Sequence, residues 1–564
     1  MDIRTTIKNL IKEALDDLDI EVGDILLDHP TELGHGDYST NVAMSLAKAL
    51  KSSPKDLAEK IASNIDKHEY IESVNVAGAG FINFHLSRKF FEECVLGIDF
   101  EFGKTDIHDG ETILVEHSSP NLFKPFHVGH VMNNTIGESI ARLAEYSGAN
   151  IIKVSYPSDV SLGIGKSVWA LLEHGVAELE EKYSLSEKLA FLGECYVEGT
   201  KAYEENPTIV RRIKDITDII YKKTPSPEYD AYLLGKDITL QYFQDITARL
   251  GSEFNEYIFE SEAGEVGRKL VLENIGKPTQ PGIFEESEGA IVYKGEAEGL
   301  HTRVFINQEN YPTYEAKDIG LLWLKFERYN PDISILVTDR EQKNYYEVVL
   351  TAAGKIEKAW QDRTIHKTHG RMSFKGQKMS SRLGGVPIAA DILDTVAEEL
   401  KGRMKEESDT DKLDSIAISA LKFTILKTMA GKDINFDPET SLSFEGDSGP
   451  YLQYTNARIN SVLEKARDLD IRDGKGEDRL TTDVEKLLYR FPEVVELAIN
   501  EWAPHHIAGY LILLAQSFNS WYGNTKLIDE GNPNMAYNLL IAKAVSQTIQ
   551  NGLYLLGIKS PERM

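Results

Sequence analysis

Two stretches far apart in the chain hold residues suited to phosphate chemistry. The first is Lys124-Pro125-Phe126-His127-Val128-Gly129-His130, set where an apolar, β-branched run (residues 112–115) and a turn (residues 118–121) lead into a helix. The unpaired N–H groups and dipole of a helix start favour phosphate, Gly129 lets a ligand approach closely, and His127 and His130, three apart, fall on one side of the first turn. The second stretch runs from Gly376 through Lys378, Met379, Ser380, Ser381 and Arg382 to Gly385, a glycine-rich loop with cationic groups. Such cations suit the charge that accumulates on a departing pyrophosphate. Each stretch alone has a plain alternative, capping or packing histidines for the first and a solvated basic turn for the second. Together, in this order around one α/β unit, they point to a shared nucleotide site.

The elements that must position them can be read from periodicity. The helix after His127 carries Met132, Ile136, Ile140 and Leu143 on one face and is expected to stop at Gly148, with a strand at residues 150–156. Strand, helix and strand in about 45 residues predict a βαβ unit, hence a parallel sheet with its ligand at the carboxyl ends of the strands. Residues 167–260 are acidic and mostly helical, an expected insertion. Strand-like residues 290–293, 302–306 and 333–337, with a helix at 314–326, predict that the nucleotide domain resumes and closes.

Residues 1–97 mix helical spacing (40–50, 55–65) with alternating strands (74–76, 81–84), which predicts a small α+β domain. Residues 97–110 read as a linker. After Pro387 the chain turns almost wholly helical, and Ile507, Leu511, Leu514, Phe518 and Trp521 recur at steps of four and three as a core stripe.

Bulk properties narrow the function. At 564 residues, 41% apolar and 27% charged, the chain is a multidomain globular protein. A net charge of −28 excludes binding nucleic acid by bulk attraction, so any such contact must be local; residues 451–490 are nearly charge-balanced. Cys94 and Cys195 stand alone, without metal-ligand spacing, so no disulfide framework and no metal-ligating residues are expected. The first residues have no apolar leader pattern and no run of about 18 apolar residues occurs, which gives the expectation of a cytoplasmic protein without a membrane span.

With these residues in place the chain resembles the class I aminoacyl-tRNA synthetases, whose H-x-G-H and K-M-S-x-x signatures clamp ATP, and more narrowly the arginyl-tRNA synthetases. The stretches 115–121, 314–318, 448–454 and 556–564 carry the likeness, as does Gly36-Asp37-Tyr38-Ser39-Thr40-Asn41. The resemblance implies an α/β protein. It would have a Rossmann-like parallel-sheet catalytic domain over residues 110–386 with a helical insertion, an N-terminal α+β tRNA-contacting domain over 1–97, and a C-terminal all-α anticodon-binding bundle over 387–564. It also implies that L-arginine and ATP, with Mg²⁺ on the substrate, form arginyl-adenylate, and that the arginyl group passes to the terminal ribose 2′-hydroxyl of tRNA(Arg). Family members usually need tRNA for the first step, and a monomer is expected.

Residue by residue, the likeness assigns catalysis to His127, His130 and Lys378, with Gly129, Met379 and Ser380 also on ATP. Glu116, Asn121, Tyr314, Asp318 and Gln342 would bind arginine, and a planar guanidinium with five donors does call for carboxylates and neutral acceptors. Tyr451, Tyr454, Arg458, Phe518, Tyr522 and Met564 would meet the anticodon, where aromatic faces stack on splayed bases. Phe81 and Asn83 would meet the tRNA elbow. Two departures stand out. Ser381 replaces the usual second lysine of the loop, so Arg382 or Lys124 is expected to supply the charge, and residues 157–161 replace a Gly-Asp-Trp-Gly stretch, with Asp159 keeping its place. The competing readings are another class I synthetase and a non-catalytic tRNA-binding relative.

Overall fold

The structure, a computed structural model, describes residues 3–182, 184–276, 282–375, 388–403, 409–474, 476 and 479–564. Its first unit is an antiparallel sheet of β1 (Tyr38–Thr40), β2 (Ile71–Ala77) and a central β3 (Phe81–Leu86), backed by the helices Ile3–Asp16, Val42–Leu50 and Pro54–Asn64. Ser53 starts the last of these by accepting from the Asp56 N–H, with Pro54 at the first helical position. Ile7, Ile11, Ile61, Ile82 and Phe84 form the core, which Tyr489 of the C-terminal unit also enters.

The second unit is built on β4 (Thr112–Glu116), α1 (Val128–Tyr146) and β5 (Asn150–Ser155). Ser147 and Gly148 end α1; Gly148 has φ +88°, a conformation that favours glycine. Five helices between Leu162 and Arg249 form the insertion around their own core of Val168, Leu192, Ile213 and Ile216. The chain then lays down β6 (Glu256–Tyr257) and α2 (Glu260–Glu273). Three more strands follow, β7 (Glu285–Ser287), β8 (Ala290–Tyr293) and β9 (Arg303–Ile306), then α3 (Tyr314–Tyr329), β10 (Ile333–Asp339), α4 (Lys343–Ile356) and β11 (Thr364–His369). The main sheet is parallel throughout, in the order β11-β10-β4-β5-β6. The chain builds to one side of β4 and returns on the other, so the order reverses between β4 and β10, where such sheets open a crevice.

The strand-like residues 290–293 and 302–306 are strands but stand apart from the parallel sheet; β8 and β9 pair antiparallel with each other and β8 with β7 in a separate three-stranded sheet. Their connection is too short for the crossover of a dozen or more residues that parallel neighbours need.

Helices α2 and α3 cross with backbone against backbone at two glycines. A Cβ on Gly267 would lie 1.8 Å from the Ala316 carbonyl oxygen, and one on Gly320 1.9 Å from that of Ala263. This close crossing sets Glu260 beside Lys317.

The third unit is helical: Ala389–Arg403, Thr410–Leu426, α5 (Gly449–Asp468), Asp483–Leu488, Phe491–Glu501, α6 (His505–Asn524) and α7 (Met535–Leu555). The stripe of Ile507, Leu511, Leu514 and Phe518 is its buried core, with Trp521 at the margin. A parallel pair, β12 (Met372–Phe374) and β13 (Ile434–Phe436), joins it to the sheet unit. Helix α1 lies between sheet and bundle: Leu143 and Tyr146 belong to the bundle core, and Ser139 and Arg142 donate to the carbonyls of Leu555 and Tyr554. Among the described residues no helix is long and apolar enough to cross a membrane.

Candidate active site

A cleft of about 610 Å³ opens at the carboxyl ends of the parallel strands. Glu116 ends β4, Tyr156 follows β5, Thr338 and Asp339 end β10, and His369 ends β11; all five face it. The start of α1 forms one wall. His127 caps the helix: its Nδ1 accepts from the Gly129 N–H at 3.1 Å, while the His127 N–H donates to Nδ1 of His130 at 3.2 Å. The two rings stack with centroids 3.8 Å apart. Burial holds both imidazoles below their ordinary range, His130 far below, and with each Nδ1 accepting a backbone N–H the neutral tautomer carries its proton on Nε2. Capping and cleft-lining are thus one arrangement, and the histidines enter as neutral N–H donors.

The opposite wall comes from α3 and α4. Glu116, Asn121, Tyr314, Asp318 and Gln342, the five positions expected around a guanidinium, line the cleft together with His127, Gly129 and His130. Tyr314 and Asp318, four apart on α3, share a face, and Gln342 immediately precedes α4. Asp318 is 7% exposed, and Tyr345 donates to its Oδ2 at 2.7 Å. Burial, reinforced by the negative charges of Glu116 and Glu260, pushes its carboxyl up to about 8 although Tyr345 and Tyr346 hydrogen-bond to it. Burial also keeps the phenols of Tyr156, Tyr345 and Tyr346 protonated, so all three are hydrogen-bond donors.

The glycine-rich loop with Lys378, Met379, Ser380, Ser381 and Arg382 lies outside the described residues. Its flanks are described. β12 ends at Phe374, and where the chain is described again Ile388 bridges to His127 and the Ala389 N–H donates to the Phe126 carbonyl at 2.8 Å.

Several expected residues sit elsewhere. Lys124 does not line the main cleft: it borders a neighbouring hollow of about 210 Å³, its Nζ 4.1 Å from the centroid of the Tyr196 ring, a cation–π contact that draws it toward the insertion. Asp159 is fully buried and accepts from Lys236 Nζ (2.6 Å), Ser261 N–H (2.8 Å) and Ser261 Oγ (2.8 Å), fastening the insertion to α2. The rest of the divergent stretch is ordered by the backbone, with Ser158 laddered to Pro120 and Leu122 and Ser161 capping the helix Leu162–His174.

In the bundle, Tyr454, Arg458, Tyr522 and Met564 border one groove of about 960 Å³. Tyr454 is 38% exposed and lies under the Arg458 guanidinium, 4.7 Å from ring centroid to Cζ. Tyr451 and Phe518 are corrected: both are bundle core. Phe518 is fully buried behind Tyr522, and Tyr451 is buried with its hydroxyl accepting from Asn519 at 2.9 Å. In the first unit Phe81 is exposed. Asn83 is corrected also, since it is buried with its Oδ1 accepting from Ser39 Oγ at 2.7 Å.

Sequence reasoning missed Glu260, Tyr345, Tyr346, Thr338, Asp339 and His369. Thr338, Asp339 and His369 were reachable through the rule that places ligands at strand carboxyl ends. Glu260 looked like the end of the insertion, and nothing local marks Tyr345 and Tyr346.

Comparisons with known proteins place the chain in a family. Residues 5–86 match the family model described as the arginyl tRNA synthetase N terminal domain, residues 96–437 that of the class I (R) tRNA synthetase catalytic domain, and residues 452–564 the DALR anticodon binding domain. The arginine–tRNA ligase of Pediococcus pentosaceus is 30% identical, the match covering 95% of each chain, and that of Clostridium perfringens is 29% identical over the whole of both. Among solved structures, the fold is similar to arginyl-tRNA synthetase of Thermus thermophilus (TM-score 0.77, 23% identity, all of both chains) and of Plasmodium falciparum (TM-score 0.77, 21% identity, 100% of this chain and 99% of that one). With a catalytic-domain match over more than half its length and a relative 30% identical nearly end to end, the chain belongs to the class I arginyl-tRNA synthetases.

Proposed function

We propose that the protein activates L-arginine with ATP and transfers it to tRNA(Arg). The observation that carries this is the joining of a carboxyl-rich pocket to the histidine-capped helix start in one cleft. The arginine carboxylate oxygen attacks the α-phosphorus of ATP and pyrophosphate leaves; the terminal ribose 2′-hydroxyl of tRNA then attacks the adenylate carbonyl and AMP leaves. Asp318 and Glu116 receive the guanidinium with Asn121, Tyr314 and Gln342, orienting the amino acid so that its acid group faces the nucleotide. Nε2–H of His127 and His130 donates to phosphate oxygens as charge develops, and Lys378, with Met379, Ser380 and Arg382 on the same loop, meets the departing pyrophosphate. Mg²⁺ enters as part of the nucleotide substrate.

The working division is a tRNA-contacting domain over residues 1–97, a catalytic domain over 110–386 and an anticodon-binding domain over 387–564. tRNA lies across the bundle groove at Tyr454, Arg458, Tyr522 and Met564, with Phe81 toward the elbow. A cytoplasmic monomer completes the reading. The test is charging of a tRNA(Arg) transcript with each of the twenty amino acids: arginine alone is expected to be esterified. Lysine or glutamate as sole substrate would overturn the assignment, as would unchanged activity in His130→Ala. Pyrophosphate exchange is expected only with tRNA present.

A further inference from the structure

Three buried carboxyls line the cleft, and two buried ammoniums lie behind them. Glu116, Glu260 and Asp318 are 2%, 5% and 7% exposed. Lys325 Nζ lies 2.7 Å from Glu116 Oε2, and Lys317 Nζ lies 2.7 Å from Glu260 Oε2 and 3.1 Å from the Val160 carbonyl oxygen. Both lysines belong to α3, on either side of Asp318, and neither lines the cleft. Asp318 has no cationic partner among the described residues, and its neighbours are the phenols of Tyr345 and Tyr346. The remaining acids of the cleft, Asp339 and Glu341, are not buried, and Glu341 pairs with Arg371.

We propose that Lys325 and Lys317 are positioning residues that fix the charge of the arginine pocket, each neutralising one carboxylate from behind so that a single carboxyl, that of Asp318, is left for one guanidinium. This rests on the arginine reading of the cleft. A buried charge must be compensated inside the protein, so three bare carboxylates around one monovalent side chain would leave charge unpaired. Two captive ammoniums remove that excess. They also tether one oxygen of Glu116 and one of Glu260, so those groups meet the substrate as fixed acceptors.

The test is a double-mutant cycle on arginine affinity, read by calorimetry on the full-length protein. Glu116→Gln strands the Lys325 ammonium beside the guanidinium site and is expected to weaken arginine about 100-fold. Adding Lys325→Met removes the stranded charge, so the double variant is expected to recover roughly 10-fold relative to Glu116→Gln alone. Lys325→Arg, which keeps the charge, is expected to stay within about 3-fold of wild type. A lysine with only a packing role would make the double variant no better than Glu116→Gln, and that result overturns the inference while leaving the arginine reading intact. Wild-type protein that fails to bind arginine overturns both. Lys325→Met alone leaves a buried carboxylate unpaired and can fail to fold, but the charge-balanced double variant avoids this and carries the decision.

Discussion

The phenol of Tyr345 donates to Oδ2 of Asp318 at 2.7 Å, in a pocket where no cation among the described residues reaches that carboxyl. Burial raises this carboxyl to about 8 against the lowering effect of the Tyr345 hydrogen bond, which favours its protonated form at neutral pH.

If Asp318 receives the guanidinium as proposed, arginine binding is expected to release a proton. The raised carboxyl, at about 8, must be ionised in the complex, so affinity rises with pH up to that value and levels off above it. The dissociation constant of arginine should fall roughly tenfold from pH 6 to 7 and about fivefold from pH 7 to 8, measured by calorimetry at fixed ionic strength. Asp318→Asn should bind weakly and without this slope; a slope retained in that variant would assign the proton elsewhere.

The histidines make an opposite pH prediction. Because burial keeps His127 and His130 neutral, adenylate formation at saturating arginine should show no loss between pH 6 and 8 attributable to imidazole deprotonation. His130→Ala should lower kcat by about 10²-fold through loss of a donor, with much less change in the arginine KM.

Backbone proximity between α2 and α3 is the third point of test. Gly320→Ala forces a methyl against the Ala263 carbonyl and should cost about 3 kcal/mol of stability, visible as a lower Tm. Since the same crossing sets Lys317 on Glu260, the arginine KM should rise in the folded fraction.

Two aromatics of the bundle should separate cleanly. Tyr454→Ala, at the groove, should raise the tRNA KM by about tenfold with Tm unchanged. Phe518→Ala, in the core, should instead lower stability by about 3–5 kcal/mol, measured by denaturant titration.

Much of this was legible in the chain itself. The βαβ unit around His127 rests on local periodicity and on a glycine stop at Gly148, which need only near neighbours. Glu116, Asn121, Tyr314 and Asp318 could be named because they sit in stretches that carry the family likeness, and Gln342 because it matches a family position. What could not be read was direction: Tyr451, Phe518 and Asn83 have types suited to tRNA contact, yet their side chains turn inward because the bundle and the first sheet need volume and hydrogen-bond partners there.

By itself the sequence determined which segments become helices and strands and which residue types are available for chemistry, because those follow from short-range periodicity, capping and turn formation. Only the tertiary structure decided which charges meet. That Lys325 compensates Glu116 from 209 positions away, that Lys317 takes Glu260, and that Lys124 lies on Tyr196 instead of in the cleft all depend on how the sheet order and the glycine crossing of α2 and α3 bring distant side chains together. An ionic partner is set by distance and burial in three dimensions, and neither is carried by spacing along the chain.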